Sequence, residues 1–218
     1  NIINSSYMAR QVHELDEVNL LSNSGRDWFE NYFRAGESRS YNFQTEGALD
    51  SIKAFIEVVG RSDLAGAFEI YENETLLGLI NYDGINTESN STYDLKGDIQ
   101  NKLFKFLAND AVTTISLKLP VVSGYDVLIG YLDQIVLTYA SNLVLHNDLI
   151  LFSNPLLKED TITYEVISEK EIEVWDITRH LVESLPLKSV GNSHKYTTLN
   201  YDHQRFVAFS KQNLLQPI

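Results

Sequence analysis

The segment Val112–Ser153 constrains the fold most strongly, because its hydrophobic period changes several times with almost no loop in between. Its first residues alternate strictly, which predicts a strand of an antiparallel sheet. The apolar face carries Ile115, Leu117 and Leu119, and the polar face carries Thr114, Ser116 and Lys118. The run DVLIGYLD predicts a second strand after a turn at Ser123-Gly124, and Asp133 would cap a helix over 133–143. NDLILFS predicts a third strand, so the sheet is expected to pass directly into a helix.

The rest of the chain shows a similar mixture of helical and strand patterns. Apolar spacing predicts a long helix within residues 2–34 and a second helix that ends at Gly60. AGAFEIY and LLGLINY predict a β-hairpin, and Asp94 would cap a helix reaching Leu107. Further on, Ile162, Tyr164 and Val166 alternate as a strand, and a capping box starts a helix at Ser168. KYTTLNY and RFVAFSK then predict two strands around a tight Asp202-His203 turn.

This order of elements resembles the extracytoplasmic PAS-like sensor fold called PDC or Cache. A strand pair of the VLIGYLD type that leads into NDLILFSN makes the resemblance closest to the periplasmic region of LuxQ-type sensor histidine kinases. The resemblance implies an α+β fold, in which a long N-terminal helix packs on two tandem PAS-like antiparallel sheet units, the second smaller. The implied parts are a helical stalk over 1–60, a membrane-distal unit over 61–135 and a membrane-proximal unit over 136–218.

Composition excludes several classes of protein. The chain has 44% hydrophobic and 11% aromatic residues, so it folds. A formal net charge of −13 without a Lys/Arg cluster argues against nucleic-acid binding. The absence of cysteine excludes disulfides and thiolate chemistry and agrees with an extracytoplasmic location. No run of 18 apolar residues predicts a membrane span, so a receptor would need spans that flank this region.

The sequence lacks recognisable catalytic motifs. We find no nucleophile elbow, zinc-protease motif, P-loop or dinucleotide-binding motif, so no enzymatic activity, cofactor or metal is expected. His180 and His194 could flank a metal with Asp202-His203, but solvated surface histidines explain them better. A glycosidase pair could be drawn from the 30 acidic residues, although none stands out by its spacing.

A polar stripe on the predicted sheet is the candidate ligand site. Strand parity adds polar side chains from AGAFEIY, LLGLINY and DVLIGYLD to those of the first strand. The candidate residues are Glu69, Tyr71, Tyr82, Thr114, Ser116, Lys118 and Tyr131. One cation beside one carboxylate could hold an amino acid or a small acid. A solvated or partner-covered sheet face is the alternative interpretation.

These patterns also predict two separate cores. Expected in the distal core are Ile115, Leu117, Leu119, Val127 and Ile129. Expected in the proximal core are Leu149, Leu151, Val207 and Phe209.

The predicted function is an extracytoplasmic, periplasmic signal-sensing domain of a bacterial transmembrane receptor, with a histidine kinase as the favoured output. It would respond to a small-molecule ligand or to a periplasmic binding protein, which would contact the exposed loop from Asp83 to Tyr93. The N-terminal helix would mediate a weak homodimer. The alternative is a secreted or pilus-associated structural or interaction protein, and a carboxylate-based hydrolase ranks third.

Overall fold

A computed structural model describes residues 2–19, 28–89, 91, 94–108, 110–122, 128–145, 148–153, 161–179, 182–200 and 204–213. Within these ranges the chain forms strands and one short 3-10 turn, Lys211–Asn213, and no α-helix. The strands are β1 (Ile2–Asn4), β2 (Ser6–Glu14), β3 (Val18–Asn19), β4 (Trp28–Phe29), β5 (Phe33–Arg34), β6 (Ser38–Gln44), β7 (Ser51–Gly60), β8 (Gly66–Glu72), β9 (Thr75–Tyr82), β10 (Asp98–Leu107), β11 (Val112–Lys118), β12 (Ile129–Asn142), β13 (Leu149–Ser153), β14 (Thr161–Ile167), β15 (Ile172–Asp176), β16 (Glu183–Ser184), β17 (Lys188–Val190), β18 (Ser193–Leu199) and β19 (Arg205–Ser210). The predicted α+β fold with a long N-terminal helix is therefore wrong, and the described chain is all-β. Among the same residues, no helix is long and apolar enough to span a membrane.

The chain divides into two compact units that interleave along the sequence. Unit 1 consists of Asn1–Ala9, Glu46–Asp50 and Tyr139–Ile218. Unit 2 consists of Arg10–Thr45 and Ser51–Thr138. Strands β2 and β12 each contribute residues to both units.

Unit 2 is a β-sandwich of two antiparallel sheets. The first has the order β10-β7-β12-β2, with β5 paired to β12, and the second has the order β6-β11-β8-β9. Strand β7 turns Ile52, Ala54, Ile56 and Val58 inward, and all four are fully buried. The ring of Phe68 on β8 contacts the ring of Phe33 on β5 edge to face, at 5.3 Å between centroids, so the two sheets pack face to face.

Two glycines make room for Tyr82 in this core. A Cβ atom added at Gly60 would lie 2.0 Å from Tyr82 Cδ2, and one added at Gly66 would lie 2.3 Å from Tyr82 Oη. Since these separations are far below van der Waals contact, glycine is required at both positions for the ring to pack as it does. Tyr82 is only 2% exposed, so it belongs to the core and not to a polar ligand face.

Unit 1 is also built from two sheets around one core. The sheets have the orders β1-β14-β18-β17 and β13-β19-β15-β16. Strand β1 runs parallel to β14, and the other pairs in this unit are antiparallel. The core cluster contains Leu143, Ile150, Phe152, Ile162, Tyr164, Val166, Ile172, Val174, Tyr196, Phe206 and Ala208. Both sheets contribute to it, so unit 1 is a second sandwich.

Each segment predicted as a helix contains strands instead. Residues 51–60 form β7, 98–107 form β10, 129–142 form β12 and 172–176 form β15, while the described part of 2–34 forms β1 to β5. In β7 the inward alternation is regular, but Phe55 and Val59 on the outer face add apolar residues at helical spacing. The helical pattern thus arose from a strand that carries apolar side chains on both faces.

The predicted strands are mostly present, although one has the opposite parity. The hairpin β8–β9 is confirmed, and Ile115, Leu117 and Leu119 are fully buried as predicted. Leu149 and Leu151, in contrast, are 55% and 59% exposed, and their neighbours Ile150 and Phe152 fill the core. Val207 and Phe209 pair with Leu151 and Leu149 on that same outer face, and Ile129 also lies outside the sandwich core. Ser123-Gly124, Val127, His180 and Asp202-His203 lie outside the described residues.

Candidate functional site

The predicted polar stripe exists, but on an exposed sheet surface. In the sheet β6-β11-β8-β9, Lys118 of β11 lies opposite Glu69 of β8, with 3.2 Å between Nζ and Oε2. The hydroxyl of Tyr71 donates to the same carboxylate oxygen at 2.7 Å. This hydrogen bond, more than the lysine charge, lowers the pKa of Glu69, and it raises the pKa of Tyr71. The Lys118 side chain is 43% exposed, so the network lies in contact with solvent.

The other stripe residues are engaged across the neighbouring strand pair. Ser116 shares a hydrogen bond with Ser40 at 2.7 Å between the two Oγ atoms, and Thr114 Oγ1 donates to Asn42 Oδ1 at 2.8 Å. Five of the seven predicted site residues are therefore brought together. They form a ladder of mutually satisfied polar groups on the sheet surface, and neither cavity described below is lined by them. Such a ladder stabilises strand pairing more readily than it captures a ligand.

Tyr131 is the predicted site residue that lines a cavity. It lies on the outer face of the five-stranded sheet, where its ring packs with Phe29 and Val59. The cavity beside it has a volume of about 460 Å³ and mostly apolar walls. Its lining residues are Arg61, Ser62, Asp63, Leu64, Thr87, Leu128, Ile129 and Tyr131.

The polar groups of this cavity hold its own loops in place. Asp63 Oδ1 accepts hydrogen bonds from the backbone N–H and the hydroxyl of Thr87, each at 2.9 Å. The backbone bond is the main reason why the pKa of Asp63 is lowered. Ser62 Oγ accepts from the backbone N–H of Ile129 at 2.9 Å. The cavity could enclose a small apolar group, but these two polar side chains are already committed to the fold.

A second cavity, of about 300 Å³, is an acidic cleft on the same unit. Glu14, Asp16, Glu57 and Asp133 line it together with Trp28, Phe29 and Ile99. The pairing of β12 with β7 shifts between Leu132 and Gln134, so Asp133 is the extra residue of a β-bulge. Bulges commonly redirect a side chain, and this one adds a carboxyl group to the cleft.

Asp133 is the most perturbed carboxyl group of this cleft. Burial first, and then the hydrogen bond to Glu57 and the charge of that residue, raise the pKa of Asp133 to about 7. The charges of Glu14 and Asp16 act in the same direction. A carboxyl group that keeps its proton near neutral pH can donate a hydrogen bond. Within the described residues, no group of three or more His, Asp or Glu side chains is arranged to hold a metal ion. Sequence reasoning missed this cleft because Asp133 was interpreted as a helix cap.

Glu30 forms a second charged cluster that the sequence did not reveal. It is 8% exposed and contacts His13 Nε2 at 3.0 Å, Arg39 Nη1 at 3.3 Å and the hydroxyl of Tyr41 at 3.0 Å. Burial, followed by the Glu30 charge, raises the pKa of Tyr41. Arg39 also donates to the carbonyl oxygens of Asn31 and Tyr32, each at 2.6 Å. The Glu30 carboxylate, the Arg39 guanidinium and the Tyr41 hydroxyl are each bonded to another group, so this cluster holds the segment between β4 and β6 in place.

Unit 1 presents an apolar surface on the outer face of β13, β19 and β15. We call it the Trp175 face, and it consists of Leu149, Leu151, Trp175, Val207 and Phe209. The registers Leu149↔Phe209 and Leu151↔Val207↔Trp175 place these side chains in two adjacent rows. The rings of Trp175 and Phe209 meet edge to face at 4.7 Å between centroids. Val207 and Phe209 are themselves almost fully buried, whereas the two leucines are exposed.

Charged and polar groups lie along one end of the Trp175 face. Lys170 Nζ lies 2.7 Å from Asp148 Oδ1, and Lys211 Nζ lies 2.6 Å from Glu171 Oε1. The indole N–H of Trp175 donates to Glu173 Oε2 at 2.8 Å. The face thus combines an apolar centre with a paired, charged edge, which is the usual anatomy of a protein interface.

Comparison with known proteins finds a solved structure that has a similar fold. No protein-family model matches the chain, and no curated protein matches it. The crystal structure of dimeric latent PorU from Porphyromonas gingivalis is similar over 97% of this chain, with a TM-score of 0.76 and 16% identity. This chain spans about a fifth of the length of that PorU chain, 21%.

Two further solved structures are much less similar. A Paenibacillus sp. cycloisomaltooligosaccharide glucanotransferase complexed with cycloisomaltoheptaose matches 94% of this chain and 44% of its own, with 9% identity and a TM-score of 0.34. The CUB1-EGF-CUB2 domain of human MASP-1/3 matches 82% of this chain and 98% of its own, with 7% identity and a TM-score of 0.24. Neither score supports a structural argument.

The PorU likeness and the all-β architecture overturn the sensor interpretation. A PAS-like or Cache unit needs helices packed on its sheet, and the described residues form two β-sandwiches without them. The predicted resemblance to LuxQ-type sensor histidine kinases, and the two-component signalling that it implied, are therefore wrong. What the comparison shows is a β-rich fold that resembles part of PorU.

Proposed function

We propose that this chain is a non-catalytic β-sandwich module that binds another protein segment through the Trp175 face. The observation that carries this proposal is the exposure of Leu149 and Leu151, at 55% and 59%, above the packed rings of Trp175 and Phe209. A contiguous apolar surface with a polar edge is the usual mark of a binding surface on a soluble protein. This function corresponds to the structural or interaction alternative of the sequence analysis.

The charges around the face indicate the chemistry of the bound segment. Lys170 and Lys211 are each paired with a carboxylate of the same unit, so the edge offers little net charge to a partner. The centre supplies only apolar and aromatic atoms, apart from an indole N–H that is already bonded to Glu173. An apolar protein segment therefore fits this face better than a charged ligand does.

We place that segment in the same polypeptide, as part of a longer protein to which residues 1–218 belong. The likeness to PorU supports this step in one respect, since the same fold occurs there as about a fifth of a longer chain. A segment of the same chain is present at high effective concentration, so a modest apolar face would be sufficient to hold it.

Photo-crosslinking tests this function directly. A benzophenone amino acid would replace Leu151 in the full-length protein, and a matched variant would carry it at Thr163, on the outer face of β14 in the same unit. We expect Leu151 adducts with one defined segment outside residues 1–218, and no such adduct from Thr163. Solvent adducts alone at Leu151, or equal crosslinking from both positions, would overturn the proposal.

A further inference from the structure

The outer surface of strands β10 and β7 in unit 2 exposes large apolar side chains in a regular series. Ile99, Leu103 and Leu107 follow one another at intervals of four residues on β10, and they are 50%, 60% and 63% exposed. Because side chains alternate along a strand, all three point to the same face. Leu103 lies opposite Phe55 of β7, which lies opposite Val136 of β12, so an apolar row crosses the sheet at its centre.

Two lysines lie directly opposite each other on one side of this row. Lys105 of β10 pairs with Lys53 of β7, and both are exposed. Neither forms an ion pair with any residue that the structure describes. Like charges in direct cross-strand register are destabilising, so an anion brought by a second molecule would stabilise this pair.

Acidic groups lie on the other side of the apolar row. Asn101 of β10 pairs with Glu57 of β7, which pairs with Gln134 of β12, and the bulged Asp133 lies next to Gln134. The cleft at this end is lined by four carboxyl groups, and none of its described lining residues is a lysine or an arginine. Burial first, and then the neighbouring carboxyl group of Glu57, raise the pKa of Asp133, so acidic side chains lie close together at this end of the face.

We propose that the β10–β7 face binds the same face of a second copy of this chain, around a two-fold axis that runs along the row of Leu103 and Phe55. Such an axis reverses the strand direction, so Lys53 of one copy faces Glu57 of the other. Ile99 then packs on Leu107 of the second copy, and Leu103 packs on Leu103. The strand is self-complementary about its centre, as an isologous interface requires.

The size of the face sets the strength of this contact. From Ile99 to Leu107 the face is about 27 Å long, and three strands make it about 14 Å wide, except at the Ile99 end, where Phe29 already covers Val59 and Tyr131. Two such faces bury less surface than the standard protein interface, so the dimer is weak and reversible, with a Kd between about 10 µM and about 1 mM. This inference concerns unit 2 alone and does not depend on the function proposed for the Trp175 face.

Charge reversal at two positions tests the geometry. Sedimentation equilibrium of the 218-residue chain should show a monomer–dimer equilibrium in this concentration range. Lys53→Glu and Glu57→Lys should each weaken it by at least about tenfold, because each places like charges in contact. An equimolar mixture of the two variants should associate again, since every contact between unlike copies then joins opposite charges. Monomeric wild type, or a mixture that stays monomeric, would overturn the proposal.

Matched leucine substitutions test whether the dimer contact lies on the β10–β7 face or on another surface. Leu103→Glu should abolish association, whereas Leu151→Glu, at an equally exposed site on unit 1, should leave the dimer constant unchanged. Both positions are exposed, so both variants should fold, as circular dichroism and thermal melts would verify. Association lost in Leu151→Glu but kept in Leu103→Glu would place the contact elsewhere and refute the inference.

Discussion

Replacing Asp133 by asparagine should stabilise unit 2 at alkaline pH and have little effect under acidic conditions. The folded-state pKa of this carboxyl group is raised from 3.8 to about 7, chiefly by burial and then by Glu57. Because the folded pKa lies above the unfolded one, the folded state retains a proton that the unfolded chain releases between those two values. The contribution of Asp133 to the stability of unit 2 is therefore most favourable below about pH 4, and it is lost as the pH rises to about 7.

The size of the stability gain in Asp133→Asn follows from the pKa shift of Asp133. A difference of roughly 3 pKa units corresponds to about 4 kcal/mol as an upper limit. Asp133 is partly exposed at the cleft, and solvent screening reduces the expected penalty to roughly 2 kcal/mol. The asparagine side chain cannot ionise, yet its amide can still donate a hydrogen bond to Glu57. The variant should consequently gain roughly 2 kcal/mol over wild type at about pH 8, and close to nothing at about pH 4.

Urea unfolding followed by tryptophan fluorescence measures this difference. The chain has two tryptophans, so a Trp175→Phe background leaves Trp28, a lining residue of the cleft, as the reporter of unit 2. Asp16→Asn in the same background is a control for the general loss of one negative charge, because its carboxylate acts on Asp133 only through its charge. Equal stabilisation by Asp133→Asn at both pH values would show that the carboxyl group ionises normally, and the account of the cleft would fail.

Three further substitutions test the packing. Gly60→Ala should destabilise unit 2 by roughly 3 kcal/mol in urea unfolding, because the new methyl group would meet the ring of Tyr82, 2.0 Å from Cδ2; an unchanged midpoint would mean that this ring is not held there. In unit 1, Ile150→Ala should cost about 2–5 kcal/mol and Leu151→Ala less than about 1 kcal/mol. The reverse order would restore the strand parity predicted from the sequence.

The sequence predicted strands well wherever alternation was strict. Strand β11 was correct because, from Thr114 to Lys118, only its inward positions are apolar, so a single period explains the pattern. In β7 and β10, apolar residues occupy both faces, and Phe55 or Leu103 completes a helical spacing that competes with the strand period. Local pattern alone does not decide between helix and strand, because the deciding fact is what packs on each face of the sheet.

The candidate sites were harder to predict than the strands. The ladder around Glu69 and Lys118 was located correctly by strand parity, but its exposure depends on what lies above the sheet. The acidic cleft depends on a bulge at Asp133 and on carboxylates that come from separate parts of the chain. A bulge leaves no clear signature in one sequence, since it inserts one residue without changing the composition. The Trp175 face was missed because its leucines were assigned to the core.

The parallel pairing of β1 with β14 has a consequence for how the molecule folds. Ile3 of β1 pairs with Thr163, so this strand finds its place only after 160 further residues have been synthesised. Closing so long a loop costs conformational entropy before any contact is gained, which slows the step. On the ribosome, residues 2–4 would therefore remain unpaired while the sheets of unit 2 form. The pairing of β1 with β14 would be among the last events of folding.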